Sequence, residues 1–307
     1  MSTDNQALTT QLPQSVAQRR RAARLRRVAA SALTHGAIWI LLAFAIFPFY
    51  WAIASALKPF DQLYTLTPTF WPKQITFDNF RALMHQSIFM QTLRNSIIVA
   101  ILTPLVSIVI TSMTAYSLAR FRYRFKDAIT ISLVVSQMLP GVLLVIPLFV
   151  IMRQLQDLLH IRLINSYTGL IIGFATFSVP FCTLFLRGFF SSFPVELEEA
   201  ALIDGCNRLQ AFLRVVLPLS IPGVLTVGLF AFILAWNDLL FAMVITQGPA
   251  AMTVAVHISQ LVTSQVSNTN YALLLAEGIV ITIPVVVVFV LLQRYLIAGL
   301  TAGAIKG

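Results

Sequence analysis

Two acidic side chains, Asp238 and Glu277, lie inside long apolar segments of the sequence. A charge at the centre of a lipid bilayer costs at least about 2.5 kcal/mol, so we expect both carboxylates to face protein or water. Carboxylates and amides bind hydroxyl groups well, and Gln137 and Asn237 add two amides while Trp236 adds an apolar ring face. These five residues are candidates for a substrate pathway. Hydrogen bonds between helices or between subunits are the structural alternative for the two carboxylates.

Other chemistry is poorly represented in the chain. The four histidines are scattered, and none has the spacing of a metal-ligand pair. The sequence contains no GxSxG nucleophile elbow, which argues against an intramembrane hydrolase. It contains no GxxxxGK[ST] phosphate-binding loop either, so we expect no ATP hydrolysis by this chain. Cys182 falls in an apolar segment and Cys206 in a polar one, which argues against a disulfide between them.

A short charged segment, residues 194–216, interrupts the apolar sequence and predicts a helical hairpin. Pro194 suits the first turn of a helix, three glutamates follow it near the positive end of the helix dipole, and Gly205 is the expected left-handed stop. Asn207 and Gln210 predict a capping box for the second helix. We expect this hairpin to contact a soluble partner. The alternative is a hairpin resting on the bilayer, and its glutamates argue against contact with anionic lipid.

Long apolar segments must position these residues. Apolar residues make up 58% of the chain and charged residues only 10%, against roughly a quarter in soluble globular proteins. Several apolar runs exceed the 18 to 20 residues, roughly, that cross a bilayer as a helix. The sequence therefore predicts an all-α, polytopic membrane protein with six transmembrane helices. The predicted spans are residues 34–57, 90–118, 127–152, 164–190, 216–246 and 272–298.

The remaining segments are assigned from composition. Residues 1–33 are predicted to be a cytoplasmic leader, disordered over residues 1–18 and rich in Arg. Residues 58–89 are predicted to be an external segment of turns and a short helix, and residues 299–307 a cytoplasmic tail. Pro140 and Pro147 predict a kink in the third span. Pro218 and Pro222 predict a break where the fifth span enters the bilayer.

Basic residues orient the predicted spans. Most of the 21 Lys and Arg residues lie in the leader, after the second span, in the hairpin and in the tail. The positive-inside tendency therefore places both termini and the hairpin in the cytoplasm. The net charge of +10 reflects this topology and contact with anionic lipid, so nucleic acid is not an expected partner.

The hairpin also resembles a known family. The run Glu199-Ala200-Ala201, Asp204-Gly205 and Leu217-Pro218 is similar to the EAA loop of ABC importer permeases. From about residue 35 to the end, further motifs resemble the carbohydrate-uptake branch, and within it the maltose/trehalose-type second permease subunit. These motifs are Asn95-Ser96, Ala115-Tyr116 through Arg120, Trp236-Asn237-Asp238, Gln293-Arg294 and the ending Gly299 to Gly307.

The resemblance implies a type I ABC importer permease fold and a subunit of a di- or oligosaccharide importer in a prokaryotic plasma membrane. The implied partners are a second homologous permease, two copies of a cytoplasmic ABC ATPase, and an extracytoplasmic sugar-binding protein. ATP and Mg²⁺ would bind the ATPase, leaving no cofactor in this chain. The implied ATPase-coupling residues are Glu199, Ala200, Ala201, Asp204, Gly205, Leu217 and Pro218.

Two alternatives stay open from the sequence. An ion-coupled secondary transporter would use Asp238 and Glu277, but it leaves the charged hairpin without a role. ABC permeases for phosphate, amino acids or peptides also carry EAA loops, and only the C-terminal motif and Trp236-Asn237-Asp238 argue for sugar.

Overall fold

The computed structural model of the chain describes residues 14–63, 65, 67, 69–264 and 270–304. These residues form helices joined by turns, with no strand among them. The first half contains α1 (Gln14–Ala56), α2 (Phe60–Leu63), α3 (Asp78–His85), α4 (Ser87–Arg120), α5 (Lys126–Met138), α6 (Gly141–Leu159) and α7 (Tyr167–Ser191). The second half contains α8 (Glu196–Ile203), α9 (Arg208–Ala211), a π-helical turn (Phe212–Val216), α10 (Leu217–Leu219), α11 (Ile221–Asn237), α12 (Leu240–Ile245), α13 (Val254–Ser264) and α14 (Tyr271–Ala304).

The predicted all-α membrane architecture is confirmed. Among the described residues, five helical segments are long and apolar enough to span a bilayer, and they lie in α1, α4, α6, α7 and α14. A sixth candidate is a bent pair, residues 208–219 and 221–237, whose two arms meet at 79°. The bend lies at Ser220, between the two prolines from which the sequence predicts a break.

The third predicted span, residues 127–152, is wrong as a single helix. The chain leaves helical geometry at Leu139, where ψ is 127°, and resumes it at Gly141. Pro140 causes the interruption, because a proline disfavours the helical conformation of the preceding residue and has no N–H to donate. The span long enough to cross the bilayer is α6, which extends beyond the predicted end to Leu159.

The fifth predicted span, residues 216–246, is also interrupted. Helix α11 ends at Asn237, and Asp238 has an extended backbone with ψ of 127°. The Oδ1 atom of Asp238 accepts hydrogen bonds from the N–H groups of Phe241 (3.0 Å) and Ala242 (3.2 Å). A carboxylate that satisfies the first N–H groups of a helix is a helix cap, and it allows α12 to begin separately.

The prediction of disorder for residues 1–18 is wrong for residues 14–18. Helix α1 begins at Gln14 and continues into the first span without interruption. This stretch is rich in Ala and Arg, two of the strongest helix-forming residues, so the helix of the span extends through it. Residues 1–13 lie outside the described residues. At the other end, α14 continues through the predicted tail to Ala304, and residues 305–307 are not described.

The centre of the bundle is formed by α4, α7 and α11. Ser107 of α4 and Ser178 of α7 are both buried, and their hydroxyl oxygens lie 2.9 Å apart. Helix α1 packs mainly against α14 at the edge of the bundle. The predicted external segment contains α2 and α3, and α3 packs against α14 and α4. The amide of Asn79 in α3 donates to the carbonyl oxygens of Ala56 and Lys58, which closes the end of α1.

Candidate functional site

The charged segment folds as the predicted helical hairpin. Its first helix, α8, ends in a turn in which Gly205 has φ of +88°. The N–H of Cys206 donates to the carbonyl of Ala201 (3.0 Å), and the N–H of Gly205 donates to that of Leu202 (3.1 Å). This pair of bonds is the Schellman motif, which favours glycine at the left-handed position. The backbone prediction for Gly205 is therefore confirmed.

The second arm of the hairpin begins with the predicted capping box. The N–H of Gln210 donates to Asn207 Oδ1 (2.8 Å), and the N–H of Asn207 donates to Gln210 Oε1 (2.9 Å). The arm then passes through the π-helical turn to Pro218, which cannot donate to a preceding carbonyl. Leu217 is half-buried and Pro218 is exposed, and both lie just before the bend at Ser220.

A buried ion pair fixes the inner side of the hairpin. Glu198 of α8 is only 1% exposed, and one of its carboxylate oxygens is paired with the guanidinium group of Arg120 at the end of α4. The other oxygen accepts a hydrogen bond from the Tyr116 hydroxyl (2.9 Å). Arg120 also donates to the carbonyl of Phe193 (3.2 Å), just before the hairpin. The three side chains join the end of α4 to the hairpin in one hydrogen-bonded network, which we call the clamp.

Aromatic packing surrounds the clamp. The ring of Tyr116 lies 4.6 Å from that of Phe212 and 6.4 Å from that of Phe190, measured between centroids. Phe212 comes from the π-helical turn and Phe190 from α7. The cluster thus holds both arms of the hairpin against the bundle, and it excludes water from the ion pair.

Sequence reasoning missed the role of Glu198 and of its two partners. Glu198 and Ala201 are three residues apart and both are buried, so they share the inner side of α8. Tyr116 and Arg120 are four residues apart on α4 and reach the same carboxylate. The sequence signal for this site was a tyrosine and an arginine one turn apart at a predicted helix end, because together they can bind one carboxylate.

The outer side of the hairpin is exposed and mixed in character. Of the candidate coupling residues, Glu199, Ala200, Asp204, Gly205 and Pro218 are exposed, whereas Ala201 is buried. Several large apolar side chains are exposed beside them, above all Ile203 at 86%. We call the following residues the exposed hairpin surface: Val195, Glu196, Leu197, Glu199, Ile203, Asp204, Leu209 and Leu213.

The structure brings two of the five pathway candidates to neighbouring cavities. Gln137 lines a cavity of about 720 Å³ between α5, α6 and α7. Asp238 lines a second cavity of about 330 Å³ beside α6 and α12. Both cavities are lined by Gly141 and Phe177, so they adjoin at these two residues.

The other three pathway candidates lie elsewhere. Trp236 is buried, and its ring stacks on Phe232 with 5.8 Å between centroids. Asn237 is exposed, and its amide donates to the carbonyl of Ile233 (3.0 Å). Glu277 is fully buried, and the Nε2 atom of His257 lies 3.9 Å from its Oε1 atom. Neither oxygen of Glu277 has a hydrogen-bond partner among the described residues.

Within the described chain, no group of three or more His, Cys, Asp or Glu side chains is arranged to hold a metal ion. Cys182 is buried in α7 and Cys206 is half-buried in the hairpin turn, and both are free thiols.

Comparisons with known proteins agree with this geometry. A family model described as "binding-protein-dependent transport system inner membrane component" matches residues 107–301, which include the hairpin and both cavities. The chain is 34% identical to the diacetylchitobiose uptake system permease protein DasC of Streptomyces coelicolor, over 89% of this chain and 98% of that protein. It is 35% identical to the trehalose transport system permease protein SugB of Mycobacterium tuberculosis, over 87% and 95% of the two chains.

A third relative and a solved structure extend the comparison. The chain is 37% identical to the sulfoquinovosyl glycerol transport system permease protein SmoH of Agrobacterium fabrum, over 87% of this chain and 91% of that protein. Its fold matches a chain of a bacterial ABC transporter that imports the acidic polysaccharide alginate, with a TM-score of 0.76 at 23% identity. That match covers 90% of this chain and 98% of the other.

Proposed function

Because this chain belongs to the family of binding-protein-dependent transport system inner membrane components, we propose that it is the membrane-spanning permease subunit of an ATP-driven importer of di- or oligosaccharides. Three relatives support the substrate class, since their names refer to uptake of diacetylchitobiose, trehalose and sulfoquinovosyl glycerol. Family membership also favours this function over an ion-coupled secondary transporter. The relatives favour a sugar over phosphate, amino acids or peptides.

The chain works in this proposal as a transport subunit, with ATP bound and hydrolysed by a separate subunit. The assembly contains a second homologous permease, two copies of a cytoplasmic ABC ATPase and an external sugar-binding protein. A solved alginate transporter with the same fold, at 17% identity and a TM-score of 0.62, is described in complex with a pentasaccharide-bound periplasmic protein. The basic residues that follow α4 and those in the hairpin support a cytoplasmic hairpin end.

The exposed hairpin surface is the proposed contact with the ATPase. The single observation that carries this assignment is Ile203, which is 86% exposed at the end of a helix with two exposed glutamates, Glu196 and Glu199. An apolar side chain flanked by carboxylates is suited to a protein groove with a basic rim, and poorly suited to anionic lipid. The clamp holds the opposite side of the same helix, so force on the surface is transmitted to α4.

Coupling then follows from the way the hairpin is attached. Closure of the ATPase dimer on ATP would move the hairpin, and the clamp and the bend at Ser220 would carry that movement to α4 and α11. Rigid-body tilting of packed helices around a midplane site is a general mechanism of alternating access.

The test uses the complete transporter, with its own binding protein, reconstituted in liposomes. Glu199→Lys and Ile203→Glu change the exposed hairpin surface without touching the clamp. Asp127→Lys is the matched control, because Asp127 is also an exposed acid in the first turn of a helix at the same end of the bundle. Interface anchors typically contribute at least about 2 kcal/mol, so we expect sugar-stimulated ATPase activity to fall by more than tenfold in the two hairpin variants.

Two outcomes would contradict the proposal. Native sugar-stimulated activity in both hairpin variants would remove the ATPase from this surface. Uptake that follows an ion gradient and needs no ATP would replace the importer by a secondary transporter.

A further inference from the structure

The two interrupted spans meet at the two cavities. The first interruption, at Leu139 and Pro140, separates α5 from α6, and Leu139 and Gly141 line the larger cavity. The second interruption, at Asp238, separates α11 from α12, and Asp238 lines the smaller cavity. A helix interrupted inside a bilayer leaves backbone groups that need polar partners, so such interruptions are tolerated where they line protein or a cavity.

One wall of the larger cavity offers hydrogen-bond acceptors. Ser132, Ser136 and Thr176 each donate their hydroxyl proton to a carbonyl of their own helix, at 2.8 Å in all three cases. The lone pairs of these hydroxyl oxygens remain available. Gln137 donates one amide proton to Leu133 (3.2 Å), which leaves its amide oxygen and a second proton. The wall therefore suits a ligand with several hydroxyl donors.

Other residues that line the same cavity are aromatic. Phe177 and Phe181 of α7 line it together with Phe230 of α11, and the rings of Phe181 and Phe230 lie 4.3 Å apart between centroids. A pyranose ring has hydroxyl groups around its edge and apolar C–H groups on its faces. A lining that combines polar side chains with aromatic rings matches that chemistry, and the volume of about 720 Å³ lies within the range of small-molecule sites.

Asp238 supplies a further acceptor in the smaller cavity. Its Oδ1 atom is occupied by the cap of α12, whereas Oδ2 has no hydrogen-bond partner in the described part of the chain. Asp238 is half-buried and lines the smaller cavity. Gly141 lies where the two cavities adjoin, and a Cβ atom added there would meet no atom within 4 Å. The junction is therefore open space bounded by the start of α6.

We propose that the two adjoining cavities form a sugar-binding subsite of the translocation pathway within this subunit. Sugar hydroxyls donate to Ser132, Ser136, Gln137 and Thr176 in the larger cavity and to Asp238 Oδ2 in the smaller one. The ring of Phe177, which lines both cavities, packs against the sugar between these two polar ends. The inference rests on the proposed function, because it assigns a site for the same substrate class.

The first experiment fills the space at Gly141, where the two cavities adjoin. Gly141→Phe places a large side chain in open space at the junction, whereas Gly188→Phe adds the same side chain to α7 at a position that lines neither cavity and also has no atom within 4 Å of an added Cβ. Both variants are assembled with their partners in liposomes and supplied with binding protein and radiolabelled di- and oligosaccharides, beginning with trehalose and diacetylchitobiose. We expect uptake to fall at least tenfold in Gly141→Phe and to stay within twofold of native in Gly188→Phe. Size-exclusion chromatography verifies that both complexes assemble.

The second experiment separates binding from structure. Gln137→Ala and Asp238→Asn are expected to change the ratio of uptake between two sugars by at least threefold. Asparagine keeps the helix cap of α12, since Asn and Asp cap helices about equally well. A purely structural role would lower uptake of all sugars by the same factor. These variants also test the subsite if Gly141→Phe fails to assemble.

The outcomes are distinguishable. If the native complex transports no sugar of the panel, the proposed function fails and this inference fails with it. If native uptake is strong and Gly141→Phe leaves it unchanged, the inference alone is overturned. Bound lipid recovered from the cavities, with unchanged sugar ratios in the two polar variants, would assign the space to an acyl chain and would also overturn it.

Discussion

Two fully buried glutamates, at opposite ends of α4, differ in the partners of their carboxylate groups. Glu198, at the hairpin end, has an arginine on one carboxylate oxygen and a tyrosine hydroxyl on the other. Glu277, near Phe89 at the start of α4, has an imidazole at 3.9 Å and no hydrogen bond from any described residue. Burial alone therefore says little about the role of an acidic residue. The role of a buried acidic residue depends on its partners, and the partners of Glu198 attach the hairpin to the bundle.

The largest effect is expected when the clamp is broken. Arg120→Ala leaves the Glu198 carboxylate buried without its cation, and removing one partner of a buried pair typically costs about 3 to 5 kcal/mol. Thermal unfolding of the purified complex measures the loss. The double variant Arg120→Met with Glu198→Leu is expected to recover most of it, because apolar replacement of a whole pair is often neutral. Equal unfolding temperatures for Arg120→Ala and the native chain would show that the pair is not formed.

A smaller loss of stability is expected when the Tyr116 hydroxyl is removed from the clamp. Tyr116→Phe keeps the aromatic packing on Phe190 and Phe212 but removes the hydrogen bond to Glu198. Hydrogen bonds to charged groups contribute about 1.5 to 3 kcal/mol, so unfolding should occur at a clearly lower temperature. Tyr123→Phe is the matched control, because Tyr123 is exposed at the same end of the bundle. A drop of the same size in the control would mean that the hydroxyl of Tyr116 has no specific partner.

The turn of the hairpin should respond more weakly than the clamp. Gly205→Ala forces a side chain into left-handed backbone, at a cost of about 1 to 2 kcal/mol. Gly188→Ala is the opposite case, since Gly188 lies in α7 with no atom within 4 Å of an added Cβ. There alanine favours the helix by about 0.5 to 1 kcal/mol. Unfolding temperatures that move in opposite directions would confirm that backbone conformation is the requirement at position 205.

The smallest loss of stability is expected when Glu277 is replaced. Glu277→Gln keeps the shape of the side chain and removes no hydrogen bond to a described residue, so the change should stay below about 1 kcal/mol. The matched variant Glu198→Gln removes the charge opposite Arg120 and should be several times more destabilising. If the two variants lower the unfolding temperature equally, the contrast between the two regions is wrong.

Local chemistry in the hairpin could be predicted from the sequence, because it acts over a few residues. The left-handed turn at Gly205 and the capping box of Asn207 and Gln210 each depend on side chains within one helical turn. The clamp could not be predicted in the same way. Glu198 and Arg120 are 78 residues apart, and three glutamates in one short helix were candidates for the inner side. Only the tertiary contacts of Glu198 with Tyr116 and Arg120 of α4 show that this glutamate faces inward.

Helix ends inside the apolar segments were harder to predict than the segments themselves. Pro140 predicted a kink, but an interruption results because Leu139 also leaves the helical conformation. Asp238 was predicted as a pathway residue or a contact between helices, and the sequence did not show that its Oδ1 atom also caps α12. Apolar composition identifies the membrane segments without showing where each helix stops, since a polar side chain can replace backbone partners at an interruption.

The 79° angle at Ser220 has a mechanical consequence. A straight helix pushed at one end slides along its own axis. Residues 208–219 instead meet α11 almost at a right angle, and Ser220 is completely buried at the corner. A displacement along the first arm would therefore act sideways on the start of α11, whereas the same displacement of a straight helix would act along its axis.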